Sequence, residues 1–396
     1  VRFDPWNPDF VASPYAVYDE LRRDAPVSFF EPTGQWLIAR HADVNALLRD
    51  RRLGRSYLHL ATHEEFGREP EPEFQEPFWR VVNAGMLDVE PPVHTRLRRL
   101  VSKAFTPRMV ESMRPRVRAI VERLVDDFVE KGGGDLIAEV AEPLPVTVIA
   151  EMLGVPDADR HLLRPWSADI CGMYELNPSQ EAQHTAVRAA SEFSDYLKDL
   201  ARARKAAPGE DLISALAQIE ELTEDELVGT CVLLLNAGHE ATVNVTGNGW
   251  WSLFRNPSEL VRLREDLSLL PTAIEELMRY DTPLQMFERW VLEDIEVGGV
   301  AIPKGVEVAL LFGSANRDPE VFDEPDRLDV GRADNPHISF GAGIHFCLGA
   351  PLARIELVES FGALLRRAPA MELTSEPVWN PGYIIRGLRS LEVSCD

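Results

Sequence analysis

The chain has 396 residues, a net charge of −24, and 45% hydrophobic and 8% aromatic residues. This acidity repels nucleic-acid phosphates and anionic membranes, while the apolar share suffices for a large core, so disorder is excluded. No run of about 18 apolar residues is present to span a bilayer.

The first residues show neither a basic stretch nor an apolar leader, and the missing initiator Met points to a trimmed, soluble, cytoplasmic protein. Periodicity predicts strands at 26–30 and 35–40, then a helix over 41–50. Residues 54–86 have weak periodicity and many charges, which reads as a long loop of the kind that is often functional. Helical patterns fill 91–280, clearest over 113–131, 181–205 and 258–265. Residues 285–311 are rich in Val and Ile, with turns at Gly298-Gly299 and Pro303-Lys304-Gly305, and read as strands and hairpins. A helix over 348–366 and a short β region close the chain. Helices and strands are segregated, which predicts an α+β, mainly α fold. Without a Pro/Gly/Ser linker, residues 1–396 read as one domain.

Cys171, Cys231, Cys347 and Cys395 lie far apart and form no CxxC pair, so neither a disulfide framework nor a zinc ribbon is expected. Cys347 stands out because of its setting, Phe340-Gly341-Ala342-Gly343-Ile344-His345-Phe346-Cys347-Leu348-Gly349. Gly341 and Gly343 permit backbone turns closed to other residues. A cysteine just before a helix gains thiolate character from the free N–H groups and the dipole. Gly349 leaves room for a flat cofactor to approach.

The stretch resembles the haem-binding signature of the cytochrome P450 family, Phe-x-x-Gly-x-x-x-Cys-x-Gly, and Phe340, Gly343, Cys347 and Gly349 match its fixed positions. The resemblance implies the P450 fold, a large helical region with a small β region and haem b between the long central helix and the cysteine loop. It implies that Cys347 is the axial iron ligand, a thiolate that pushes electron density onto the metal.

Further segments match the family in its order. Glu276 and Arg279 share one helix face, and with Arg327, from the segment Phe322-Asp323-Glu324-Pro325-Asp326-Arg327, they resemble the family's structural triad. His94 and Arg98, four apart on a helix, correspond to residues that hold a haem propionate, as do Arg289 and His345. Thr223-Glu224-Asp225-Glu226 is a capping box opening a helix that ends near Arg255-Asn256-Pro257.

Halfway along that helix, Ala237-Gly238-His239-Glu240-Ala241-Thr242 resembles the family's Ala-Gly-x-Asp/Glu-Thr-Thr/Ser motif. In the family the Gly opens a groove, and the acid and first alcohol help deliver protons. Here Ala241 stands where that alcohol belongs, and Thr242 is turned by about 100° on an ideal helix. Three routes remain: ordered water with Glu240, a hydroxyl of the substrate, or a helix distorted enough to bring Thr242 inward.

By position, Met86, Leu234, Asn236, Ala237, Gln285, Met286, Phe287 and Ile384 would line a largely apolar substrate pocket, with Asn236 and Gln285 as polar anchors. Arg96, Arg98, Arg99, Lys103, Arg108 and Arg354 form a basic cluster suited to an acidic redox partner, which the family resemblance makes a ferredoxin with its reductase. The expected reaction inserts one oxygen atom from O2 into a small organic substrate, by hydroxylation or epoxidation. Two alternatives are a non-catalytic haem-thiolate sensor or carrier and a peroxide-driven oxygenase. The second usually places an Arg-Pro pair in the oxygen-side helix, and 237–242 has none.

Overall fold

A computed structural model describes residues 2–395, so the reading that rests on Val1 lies outside the described residues. Helices hold 55% of the described structure, which makes the fold mainly α with a small β region. Among the described residues, no helix is long and apolar enough to cross a membrane.

The chain divides into two compact units and passes between them repeatedly. The first unit runs to Leu53, resumes over Val117–Leu144 and continues from Ala241 onward. Its main sheet has five strands, β1 (Val27–Phe30), β2 (Gln35–Ile38), β3 (Leu53–Gly54), β4 (Phe287–Val291) and β5 (Glu307–Leu310), in the order β1-β2-β5-β4-β3. β2 pairs parallel with β5, whereas β1–β2 and β5–β4 are antiparallel. Ile38, Val291, Val308 and Leu310 from these strands share one apolar cluster with Ile338 and Ala342. The sheet's core thus extends directly into the cysteine loop and supports it.

The second unit comprises Gly54–Arg116 and Pro145–Glu240. The stretch 54–86 is not all loop: α1 (Glu76–Ala84) forms within it, burying Phe78, Val81 and Val82 at helical spacing. Its short length and surrounding charges hide that periodicity. α1 ends at Gly85, which meets Gly229 so closely that a Cβ on Gly229 would stand 2.7 Å from the Gly85 nitrogen. α2 (Val93–Ala104), α3 (Leu163–Cys171) and α4 (Gln180–Ala206) complete the helices of this unit that matter below.

α5 (Glu224–Arg255) runs through both units. The expected capping box closes its start: the Glu226 N–H donates to Thr223 Oγ1 at 3.2 Å, and the Thr223 N–H donates to Glu226 Oε2 at 3.0 Å. Its 32 residues are helical without a break, a length of roughly 48 Å. α6 (Leu270–Tyr280) and α7 (Ala350–Arg367) frame the cysteine loop in the first unit.

Candidate active site

The Cys347 N–H donates to the Phe340 carbonyl at 3.0 Å, closing the loop on itself. Gly341 and Gly343 both have positive φ, 68° and 70°. A Cβ at Gly343 would lie 2.4 Å from the Leu48 carbonyl oxygen, so this turn accepts glycine for two independent reasons. Cys347 is half-buried, and a Cβ on Gly349 would stand 3.9 Å from its Sγ. Beside it Ile344 and Phe346 are 47% and 43% exposed, unusual for apolar side chains on a rigid loop.

The loop is clamped from α7. Arg354 stacks over the Phe340 ring at 4.5 Å and forms a bidentate pair with Glu275 of α6, at 2.6 and 2.8 Å. His337 adds a contact to Glu275 at 3.0 Å. Burial pushes the Glu275 carboxyl up, but the hydrogen bonds from Arg354 and His337 outweigh it and hold it down at about 2.

Glu276 and Arg279 are fully buried and form a bidentate pair at 2.7 and 2.8 Å. Arg279 also donates to the carbonyls of Asn316 and Pro325, both at 2.9 Å. The third member corrects the sequence reading. Arg327 is half-exposed and its guanidinium pairs with Glu324 and Asp329; its contribution to the centre is its backbone carbonyl. Arg332 instead reaches Glu276, Nε to Oε2 at 3.1 Å, from a nearly buried position. The turn between 327 and 332 sets which arginine points inward, and nothing in residue type distinguishes the two.

The middle of α5 is asymmetric. Ala237 and Ala241, one turn apart, are exposed, although Asn236, His239 and Thr242 around them are buried. The two alanines form an open strip on a helix that is otherwise buried at this level. Thr242 is 4% exposed and lies off the strip, and its carbonyl accepts from Thr246 Oγ1 at 2.9 Å. Since the helix is unbroken, the route that brings Thr242 inward finds no support. Gly238 packs where a Cβ would come within 2.7 Å of Ile149 Cδ1, so close helix packing also demands this glycine.

In the second unit, His94 of α2 is 2% exposed. Burial, and then the Arg98 cation beside it, push its imidazole below the usual value. Two basic side chains set side by side in this way suit a carboxylate partner. In the first unit, Arg289 of β4 is 4% exposed and stacks over Phe287 at 4.5 Å, and His345 ends the short turn Gly343–His345.

The expected pocket residues divide between the units. In the second, Met86 and Leu234 are buried, and Asn236 is 4% exposed, its amide nitrogen turned to the Tyr174 hydroxyl and its Oδ1 without a protein partner. The Tyr174 hydroxyl lies beside that amide, a neighbour that no sequence signal announced. In the first unit, Met286, Phe287 and Ile384 lie on two adjacent segments, because the Gln285 N–H donates to the Ile384 carbonyl at 2.9 Å and Leu284 bridges Ile385. Gln285 is not an open anchor. Its side chain accepts from Tyr18 and donates to the Thr282 carbonyl, so both ends of its amide serve the fold.

In the first unit a half-buried thiol on a glycine-built loop, and in the second a buried His94 beside Arg98, are each residue types that a haem-thiolate protein needs, and the donor chemistry fits that cofactor. Residues 167–368 match the family model described as Cytochrome P450. The chain is 40% identical over 399 residues to cytochrome P450 monooxygenase PikC of Streptomyces venezuelae, covering 97% of this chain and 92% of that protein. It is 39% identical to 6-deoxyerythronolide B hydroxylase of Saccharopolyspora erythraea, covering 96% of each. The solved structure of P450BioI in complex with a hexadec-9Z-enoic acid-ligated acyl carrier protein superposes with a TM-score of 0.92 at 37% identity, covering 98% of this chain and 99% of that one. The chain belongs to the cytochrome P450 family and is a monooxygenase.

Proposed function

We propose that this monooxygenase oxidises an oxygen-bearing, polyketide-like molecule, with Cys347 ligating the iron of haem b and His94, Arg98, Arg289 and His345 receiving the propionates. A ferredoxin and its reductase supply the electrons, in the cytoplasm. When bound, the haem activates O2 and inserts one of its atoms into the substrate.

The protein's part is orientation and proton supply. Gly349 leaves the sulfur approachable, and the Arg354 clamp fixes the loop that carries it. The exposed strip at Ala237 and Ala241 gives the substrate access to α5. Glu240, beside this strip, moves protons through ordered water or through a hydroxyl of the substrate itself, since Ala241 offers no alcohol.

The observation that carries the substrate class is Asn236. A buried amide oxygen with no protein donor is costly unless a ligand completes it. Asn236 and Glu240 are four residues apart, so an oxygen held at Asn236 lies along the same helix face as the acid. The names of two relatives, a 6-deoxyerythronolide B hydroxylase and a polyketide biosynthesis cytochrome P450, agree with this chemistry.

The test is a spin-state titration of ferric enzyme with macrolides, steroids and hydroxyl-free terpenes. Asn236→Leu is expected to weaken oxygenated ligands about tenfold, one hydrogen bond's worth, and to leave hydrocarbons unchanged. Equal loss across the panel would overturn the assignment. Product formed per reduced cofactor should rise in Ala241→Thr for substrates without a suitable hydroxyl; unchanged coupling for every substrate would remove the substrate or water route.

A further inference from the structure

His239 fills the variable position of the acid motif, and its surroundings give it work beyond packing. It is 2% exposed. Its Nδ1 lies 3.2 Å from Ser167 Oγ of α3 and 3.6 Å from Glu240 Oε1, while its Nε2 is buried without a protein partner. Arg164, Ser167 and Cys171 are spaced three and four residues apart, so they share one face of α3. All three bear on this spot. The Arg164 cation disfavours a charged His239, the Ser167 hydroxyl contacts the ring, and the Glu240 carboxylate, after burial itself, pushes the Cys171 thiol up. From the other side, Ile149 packs against Gly238 and presents no charge. The two helices therefore meet in a short polar seam that ends at Glu240.

The imidazole is neutral at physiological pH, because burial first and Arg164 second bring it down to about 4. A neutral ring has one N–H to give. The Nδ1–H tautomer donates to Ser167 Oγ, with the Glu240 carboxylate nearby to favour it electrostatically, and leaves the Ser167 proton free for Cys171, whose thiolate form it favours. The alternative tautomer would bury an N–H on Nε2 with nothing in the protein to accept it.

We propose that His239 is a positioning residue for Glu240: its Nδ1–H is fixed by the Ser167 hydroxyl, and the ring edge so oriented, 3.6 Å from the Glu240 carboxylate, holds the acid at the α3 end of the proton route. This rests on the reading of Glu240 as the proton-handling acid.

Two measurements on holoenzyme test it. In the first, product per reduced cofactor is compared for wild type, Glu240→Gln, His239→Leu, His239→Asn and Ser167→Ala, with spin-state binding constants and melting temperatures alongside. His239→Leu is expected to lower coupling about five- to tenfold with substrate affinity unchanged. His239→Asn, whose amide restores an N–H donor, should recover to within about twofold of wild type, and Ser167→Ala should fall between. In the second, the 15N histidine spectrum of the reduced, carbon monoxide-inhibited enzyme should report the Nδ1–H tautomer.

An Nε2–H tautomer overturns the proposal, as does a His239→Leu enzyme coupled like wild type while Glu240→Gln is impaired. Lower stability and affinity without a change in coupling, not rescued by Asn, mark a packing role and also overturn it. Should His239→Leu fail to fold, Ser167→Ala and the spectrum decide. If Glu240→Gln is itself coupled like wild type, the reading of the acid fails and takes the positioning role with it.

Discussion

Glu356 shows how a single residue can set the alkaline limit of stability. It is 2% exposed on α7, its Oε2 has no partner, and burial pushes its carboxyl up to about 8. Between the ordinary glutamate value near 4.5 and 8, the folded protein holds a proton that the unfolded chain releases. Stability is therefore fully present below about 4.5 and falls as pH rises through 8, by up to roughly 4–5 kcal/mol. Glu356→Gln should melt above wild type at pH 8, with the gap closing by about pH 5 in thermal scans; parallel curves would show that the carboxyl ionises without penalty. Legibility at this scale depended on pattern length. Cys347 could be read because five aromatic and glycine positions constrain its loop, whereas Glu356 looks like any helical glutamate until its burial is known. Arg332 was missed for a related reason: it lies five residues beyond Arg327, and the turn between them decides which guanidinium meets Glu276.

Elements were legible where periodicity ran long and caps were explicit. α5 begins at the Thr223 box and stops before Pro257, and β4 and β5 fall in the Val- and Ile-rich stretch 285–311. α1 was hidden because nine residues beside a charged segment give too few turns to establish a period. The joint between α6 and the segment that carries Arg332 yields a clear contrast. Arg332 is a second, nearly buried cation on Glu276, whose pair with Arg279 survives its removal, so losing it costs less than the about 3–5 kcal/mol of leaving a buried charge alone but more than losing a surface pair. Arg332→Leu should therefore lower the melting temperature and the yield of haem-loaded protein, whereas Arg327→Leu, at a half-exposed site, should shift stability by less than about 1 kcal/mol. Equal effects would return the triad to Arg327. The Glu275–Arg354 clamp adds an acid limit. Its stabilisation is present above about 4.5, the unfolded value, and is lost as pH falls toward the folded value of about 2. Glu275→Gln should flatten that acid-side loss when the Soret band is followed against pH.

At the scale of the molecule, a charge of −24 makes any exposed basic group conspicuous. Arg99, Lys103 and Arg108 are exposed on or just beyond α2, while Arg96 and Arg354 are held by carboxylates and have less to offer a partner. Charge reversal at Arg99 and Lys103 should raise the KM for a ferredoxin about tenfold and flatten its dependence on salt, in steady-state assays at two ionic strengths. Unchanged values would place the electron donor elsewhere.

Arg96 has another consequence. Its guanidinium grips Glu226, the same carboxylate that caps α5, and donates to the Glu221 carbonyl at 2.9 Å. Flanking it on α2 are His94 and Arg98, so one short helix carries both the proposed cofactor contacts and the fastener for the start of α5. In hydrogen exchange, α2 and the first turn of α5 should then open and close together as one foldon, slowed in concert when haem is added to the apoprotein. With the propionates held as proposed, cofactor loading would become a step in the maturation of the fold, one that reaches a helix end away from the propionates.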